Sequence, residues 1–198
     1  MLPSRFLGVF LVKIISDRLI IRDHCTSDLE THHELLSDSE VMKFLPDIKT
    51  NNMEESKANL LNAISESKAP ERKLYAFRIE DKITNEFIGE IGYTVTENTP
   101  FGKMVHLGYF VKQKHWNKGY ITEAAKKVIE FAFRKDNVYR IHTGCAKENF
   151  ASEKVMQKCG FTKEAKFKEY FFHEGKLRDR VEYRLLKHEW ENQKTAKS

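Results

Sequence analysis

Between Leu107 and Ala125 the chain reads LGYFVKQKHWNKGYITEAA, and no other stretch restricts the available folds as strongly. Residues 104–112 alternate as a strand, with Val105, Leu107, Tyr109 and Val111 on one face. Further on, Ala124, Ala125, Val128, Ile129, Ala132 and Phe133 recur at helical spacing. Thr122 stands ready as an N-terminal cap, and Arg134 and Lys135 suit the last turn. The connector from Gln113 to Gly119 is polar and basic, with Trp116 its one large apolar residue. A helix entered through such a segment presents unpaired N–H groups and about half a positive charge to whatever lies before it. Phosphate is the natural guest of that corner.

The segment VKQKHWNKGYITEAAKKVIEFAF resembles the acyl-CoA-binding stretch of the Gcn5-related N-acetyltransferases, whose pattern is a basic or polar residue, two others, Gly, one other, then Gly or Ala. Its wording is closest to the ribosomal-protein N-terminal alanine acetyltransferase branch. Two positions depart from the pattern. Asn117 stands where Gly is common, a change softened because Asn tolerates positive φ; Ile121 stands where Gly or Ala is usual, which implies an altered backbone approach to the pyrophosphate. A second stretch, NFASEKVMQKCGF, matches the family's Asn-x-x-Ser-x-x-Val-x-x-Lys-x-Gly-Phe segment at Asn149, Ser152, Val155, Lys158, Gly160 and Phe161. Either stretch alone also reads as an ordinary capped corner. Together, in order and on the expected elements, they carry the resemblance across residues 17–190.

The 198 residues, 40% hydrophobic and 32% charged, suit one domain with a sizeable core and exclude a disordered or fibrous chain. The net charge of +5 favours acidic partners, yet the basic residues are dispersed among 29 acidic ones, without an Arg-rich arm or an aromatic–basic RNA motif. Nucleic-acid binding is therefore not the expected function. Cys25, Cys145 and Cys159 are odd in number and far apart, fitting neither a disulfide framework nor a CxxC metal site, so a reducing cytoplasm and no bound metal are expected. The apolar run Phe6–Ile15 contains Lys13 and is far shorter than the roughly 20 residues of a membrane span. It reads as an extra strand or an N-terminal extension, with a signal-peptide core as the alternative.

Taken in order, residues 18–23 read as a first strand, and Thr26, Ser27 and Asp28 cap a helix carrying Leu29, Leu35 and Leu36. His32 and His33 on that helix point about 100° apart and read as a solvated face. A helical turn at 39–44 ends before Pro46, a helix spans Asn51–Ser67, and strands at 74–79 and 86–95 make an antiparallel pair. Strands at 139–146, 167–173 and 181–186 follow, the last two joined at Glu174-Gly175-Lys176. Three sections are expected: an N-terminal extension 1–16, one domain 17–190, and a frayed polar tail 191–198. The family resemblance implies a mixed α/β fold, a twisted and mostly antiparallel sheet of about seven strands flanked by about four helices.

What the resemblance implies chemically is acetyl transfer from acetyl-CoA to a primary amine, directly in a ternary complex. The acceptor is a protein N-terminus or a small molecule, and exposed strand edges imply a homodimer. Phe110 and Val111 pair with the pantetheine arm, with a free Val111 N–H as oxyanion donor. The backbone of Asn117, Lys118, Gly119, Tyr120, Ile121 and Thr122 takes the pyrophosphate, with Lys112, Lys114 or Lys118 adding charge. Asn149 and Ser152 contact the arm near sulfur. Many relatives carry a Tyr acid on this last helix; none is present here, and Ser152 stands in as the acid. Glu90, in a glycine-flanked strand, is the first choice for the base, His106 the second and Glu148 the third. The competing class is a non-catalytic acyl-CoA-binding module with a closed acceptor groove.

Overall fold

The structure, a computed structural model, describes residues 11–195. Its strands are β1 Lys13–Ile15, β2 Leu19–Asp23, β3 Leu74–Asp81, β4 Phe87–Thr99, β5 Gly102–Val111, β6 Val138–Ala146, β7 Thr162–His173 and β8 Lys176–Leu186. They form one 8-stranded sheet in the order β1-β2-β3-β4-β5-β6-β8-β7. Only β5 and β6 run parallel; all other neighbours are antiparallel. The helices are α1 Leu29–Ser37, α2 Met53–Ser67, α3 Tyr120–Lys135, α4 Phe150–Lys158 and α5 Lys187–Thr195.

The count exceeds expectation by one strand and one helix, and each has a physical cause. Strand β1 falls in the segment set aside as an extension; it pairs Ile14 with Ile21, and Val12 and Ile14 pack against the core. The part of that apolar run before Leu11 lies outside the described residues. Helix α5 takes in residues expected to fray. Trp190, 7% exposed, sets its ring 5.4 Å from Phe133 and holds an otherwise polar helix against the core.

Strand alternation divides the sheet into two unlike faces. Leu19, Ile21, Phe77, Ile79, Ile91, Tyr93, Val105 and Leu107 point to the face where α3 and α4 pack through Ala124, Val128, Phe133 and Met156. Burial of Val128, Ile129 and Phe133 contributes about 1.5–3 kcal/mol each and fixes which way α3 faces. On the opposite face β2, β3 and β4 carry Arg22, Arg78, Glu80 and Glu90 against α1 and the turn before it. Helix α4 ends as its sequence foretold: Gly160 has φ +83°, its N–H bonds the Gln157 carbonyl and the Phe161 N–H bonds the Met156 carbonyl. That is a Schellman ending, and it aims Phe161 into the core.

Candidate active site

The polar connector and the start of α3 form the anion corner. Asn117 and Gly119 both take left-handed backbone, φ 59° and 78°, so the substitution of Asn for Gly at 117 leaves the turn intact. The cap is Gly119, not Thr122, which sits inside the first turn. The first helical bond runs from the Glu123 N–H to the Gly119 carbonyl, leaving the N–H groups of Tyr120, Ile121 and Thr122 outside the ladder. Ile121 does not obstruct them. Its side chain is 8% exposed and belongs to the core, so the bulk that replaces Gly or Ala turns inward. Arg18 braces the corner: it donates to Glu123 at 2.7 Å and to the Lys118 carbonyl at 3.2 Å, and its guanidinium lies 4.5 Å over the Tyr120 ring. A cavity of about 380 Å³ opens beside Gly119 and Thr122, lined by Lys126, Lys127 and Lys158 together with Asp17 and the Arg18-paired Glu123. The free N–H groups and the three lysines fit a polyphosphate.

From this corner a cleft runs between β5 and β6. The two strands pair through His106 and His142 and then part, so Leu107–Val111 keeps a ladder only with β4. The Lys112 N–H bonds the Ile88 carbonyl, and by antiparallel alternation the N–H groups of Tyr109 and Val111 point toward the open side. Gly89 permits this geometry, since a Cβ there would lie 2.4 Å from the Phe110 carbonyl oxygen. Phe110 packs beside Leu35, Leu36, Met42 and Phe87, while the Val111 carbonyl accepts from the Trp116 indole at 2.9 Å. The N–H of Val111, the expected oxyanion donor, is on the cleft side.

The face of the cleft toward α4 holds Asn149 and Ser152. Asn149 caps α4, its side chain accepting from the Ser152 N–H at 3.1 Å. Ser152 Oγ lies 3.0 Å from the Tyr109 hydroxyl, which also donates to the Ser152 carbonyl at 3.1 Å. Sequence reasoning assigned Tyr109 to the core face and looked for a phenol on α4; the structure instead brings a phenol from β5 against Ser152. The available signal was that Tyr109 shares its strand face with Leu107 and Val111, the face that α3 and α4 cover. Burial raises the Tyr109 pKa well above the ordinary phenol value, although the Ser152 contact works the other way. Cys145 and Cys159 are buried, with thiols pushed up by burial to about 11 and about 12, so neither is an activated nucleophile.

The other face of the cleft carries His106, at the last rung before the strands part. Its ring lies 5.2 Å from that of His142, and burial, then the charges of His142 and Arg180, lower its pKa below the usual 6.5. One pleat further on, Gly108 is exposed, and a Cβ there would meet nothing within 4 Å, so this face is open beside His106. Glu90 is not next to His106: it pairs with Phe110, four residues along β5, roughly 13 Å away. Its carboxylate is 6% exposed and committed to His32, with Oε1 2.6 Å from Nδ1. This corrects the expected solvated face of α1, since His32 is 1% exposed and His33 is half-buried with Nδ1 2.8 Å from Ser56 Oγ. Glu148 is exposed and faces Arg178 at 3.9 Å. In the α1–α2 loop Leu45 packs against the Leu35–Leu36–Met42–Phe87 cluster, and the Phe44 ring lies 6.1 Å from His173 on β7.

A helix N-terminus built for polyphosphate, feeding a cleft between two parting parallel strands, defines a CoA-dependent acyltransferase. The sequence pattern of the Acetyltransferase (GNAT) domain matches residues 18–162, and the chain belongs to that family. An uncharacterized N-acetyltransferase, YnaD, of Bacillus subtilis (strain 168) is 30% identical over 179 residues, 89% of this chain and 98% of that protein. The crystal structure of a GNAT-family acetyltransferase from Bacillus anthracis has a TM-score of 0.76 at 28% identity, covering 89% of this chain and 99% of that one. A ribosomal L7/L12 alpha-N-protein acetyltransferase solved in complex with coenzyme A shares the fold, with a TM-score of 0.78 at 18% identity over 88% of this chain and 98% of that one. The protein is an acetyl-CoA-dependent N-acetyltransferase.

Proposed function

We propose that the acceptor is the primary amine of a protein N-terminus, acetylated directly while both substrates are bound, with His106 as base and the Tyr109–Ser152 pair as proton source. The observation that carries this reading is the placement of His106 and Tyr109 on opposite faces of the cleft where β5 leaves β6. The amine must lose a proton as its nitrogen attacks the thioester carbon, and the departing sulfur must gain one. His106, its pKa lowered and hence neutral at pH 7, accepts the first. The Ser152 hydroxyl supplies the second and is refilled by Tyr109. The Val111 N–H faces the developing oxyanion, and the corner from Asn117 to Thr122, with Lys112, Lys114 and Lys118 nearby, takes the pyrophosphate.

A peptide end is favoured over a polycation by the acceptor wall. Glu164, Glu182 and Glu189 on β7, β8 and α5 are committed to Arg140, Arg180 and Arg184, which makes this side of the cleft a poor anchor for a polyamine. The open strip over Gly108 admits an extended chain. Thiol release from acetyl-CoA, measured against peptide N-termini, polyamines, amino acids and aminoglycosides, tests the assignment. Release is expected with peptides, and Tyr109→Phe is expected to lower kcat about 10²-fold while acetyl-CoA still raises the melting temperature. Release with polyamines alone, or full activity in Tyr109→Phe, would overturn the corresponding half of the proposal.

A homodimer in the cytoplasm completes this reading. The edge strand β7 exposes Phe167, Tyr170 and Phe172 to a second copy, and the free cysteines suit a reducing compartment. A monomer by sedimentation velocity, or export on cell fractionation, would count against these two points.

A further inference from the structure

We propose that His24, His32 and Glu90 form a binding site for one divalent transition-metal ion of the zinc class. The inference rests on the buried layer between β4 and α1, and it is independent of the acceptor's identity. His24 Nε2, His32 Nδ1 and a Glu90 carboxylate oxygen all lie within 4.8 Å of one another, and all three residues are buried. Around a tetrahedral ion with bonds of roughly 2.0–2.1 Å, ligand atoms sit about 3.3 Å apart. Here Glu90 Oε1 is 2.6 Å from His32 Nδ1 and 3.7 Å from His24 Nε2, so an ion would open the first separation slightly and close the second.

Two observations distinguish this cluster from an ordinary buried ion pair. Both ring nitrogens of His24 lack a hydrogen-bond partner, although its side chain is 0% exposed. A proton shared by His32 and Glu90 satisfies those two groups and leaves His24 with only long contacts, 3.6 Å to Asp28 and 3.7 Å to Glu90; an ion on Nε2 gives that nitrogen a ligand bond while Nδ1 faces Asp28. The second observation is the outer ring of acceptors. His24 Nδ1 is 3.6 Å from Asp28, and His32 Nε2 is 3.2 Å from Asn59 Oδ1. Each imidazole therefore turns one nitrogen toward Glu90 and the other toward an oxygen, the arrangement by which metal-bound histidines are oriented and their tautomer set.

The surrounding charges leave room for a cation. Asp28 and Glu80 face the guanidinium groups of Arg22 and Arg78, so they are already balanced. Glu90 is the remaining carboxylate of this layer. Two neutral imidazoles and one carboxylate select a borderline ion such as Zn²⁺ or Co²⁺ over Mg²⁺ or Ca²⁺, which take all-oxygen sites. The exposed Asn59 marks the short route to solvent from His32.

The test uses the purified full chain with Zn²⁺, Co²⁺ and Mg²⁺ as probes. Expected are one equivalent of zinc retained per chain after dialysis, a visible Co²⁺ absorption band displaced by Zn²⁺, a rise in melting temperature with Zn²⁺ and none with Mg²⁺. His24→Asn and Glu90→Gln should each weaken Zn²⁺ binding at least tenfold, whereas His188→Asn, a surface control, should not. The acetyl-CoA-induced thermal shift reports whether a variant is folded. If His24→Asn does not fold, the wild-type cobalt band decides the matter. No retained zinc together with no cobalt band overturns the site, as does a folded His24→Asn variant that binds Zn²⁺ as wild type does, which would mark adventitious surface binding.

Discussion

Replacing His106 with Gln is expected to lower kcat/KM for the acceptor amine by about 10²–10⁴-fold while acetyl-CoA still protects the variant against heat. His106 lies beyond the anion corner, at the rung where β5 and β6 separate, so the substitution removes the proposed base without touching the corner from Asn117 to Thr122. The pH profile provides a second readout. Burial and the neighbouring charges of His142 and Arg180 lower the His106 pKa, so the limb that His106 adds to the wild-type profile should set in only as pH drops below the ordinary 6.5. The alkaline side belongs to the acceptor: an α-amino group, with a pKa of about 7.7–8.0, levels off below pH 9, whereas an alkyl amine near 10.4 keeps rising. Loss of the acid limb in His106→Gln is the expected signature. A variant that keeps that limb, or loses less than tenfold, would remove His106 from the mechanism.

The same histidines give stability a definite pH dependence. His106 and His142 are held neutral by burial, so just below pH 6.5 the unfolded chain binds more protons and stability falls as pH drops. His32 runs the other way. Burial is the largest single influence and acts to lower its pKa, but Glu90, Asn59 and Asp28 together outweigh it and the net shift is upward. Its contribution is fully present below 6.5 and is lost as pH rises through its folded value. The two windows meet at the ordinary histidine value of 6.5, so together they place a stability maximum near that pH.

Those opposite shifts also show where the sequence stopped being legible. The helix α3, its basic connector and the Schellman end of α4 follow from short-range rules, because each depends on spacing within one segment. Strand pairing does not. The commitment of Glu90 to His32 joins residues 58 apart in the chain, so no local pattern reveals that the first choice of base is occupied. Tyr109 was read correctly as facing the same way as Leu107, yet its partner Ser152 lies 43 residues later and only the fold brings the two hydroxyls together. Ile121 looked like a defect for a related reason: its direction into the core depends on where α3 sits on the sheet. The sequence leaves an extra strand at β1 as one of two readings and makes α5 read as a frayed tail, because both have weak local signals. Their stability comes from partners, Ile21 in one case and Phe133 in the other.

Asp136→Ala should be the most damaging single change outside the cleft, costing about 3–5 kcal/mol of folding stability. Asp136 closes the C-terminus of α3 and ties it to three strands. Oδ1 accepts from the Tyr75 hydroxyl and from Lys103 Nζ, each at 2.6 Å, and Oδ2 accepts from the Tyr93 hydroxyl at 2.9 Å. Tyr75 and Tyr93 stack with ring centroids 4.4 Å apart, and burial together with the carboxylate holds both phenols protonated far above their usual range. Removing the carboxylate strands two buried hydroxyls and an ammonium that is only a quarter exposed. Asp136→Asn keeps one acceptor oxygen and should lose about half as much. At roughly 2–4 °C per kcal/mol for a chain of this size, the Ala variant should melt about 6–20 °C lower. In a double-mutant cycle, Tyr93→Phe should cost less in the Asp136→Ala background than in wild type, because the hydroxyl has already lost its acceptor. A drop in melting temperature of only a degree or two, or strict additivity in that cycle, would show that α3 is held by its apolar face alone.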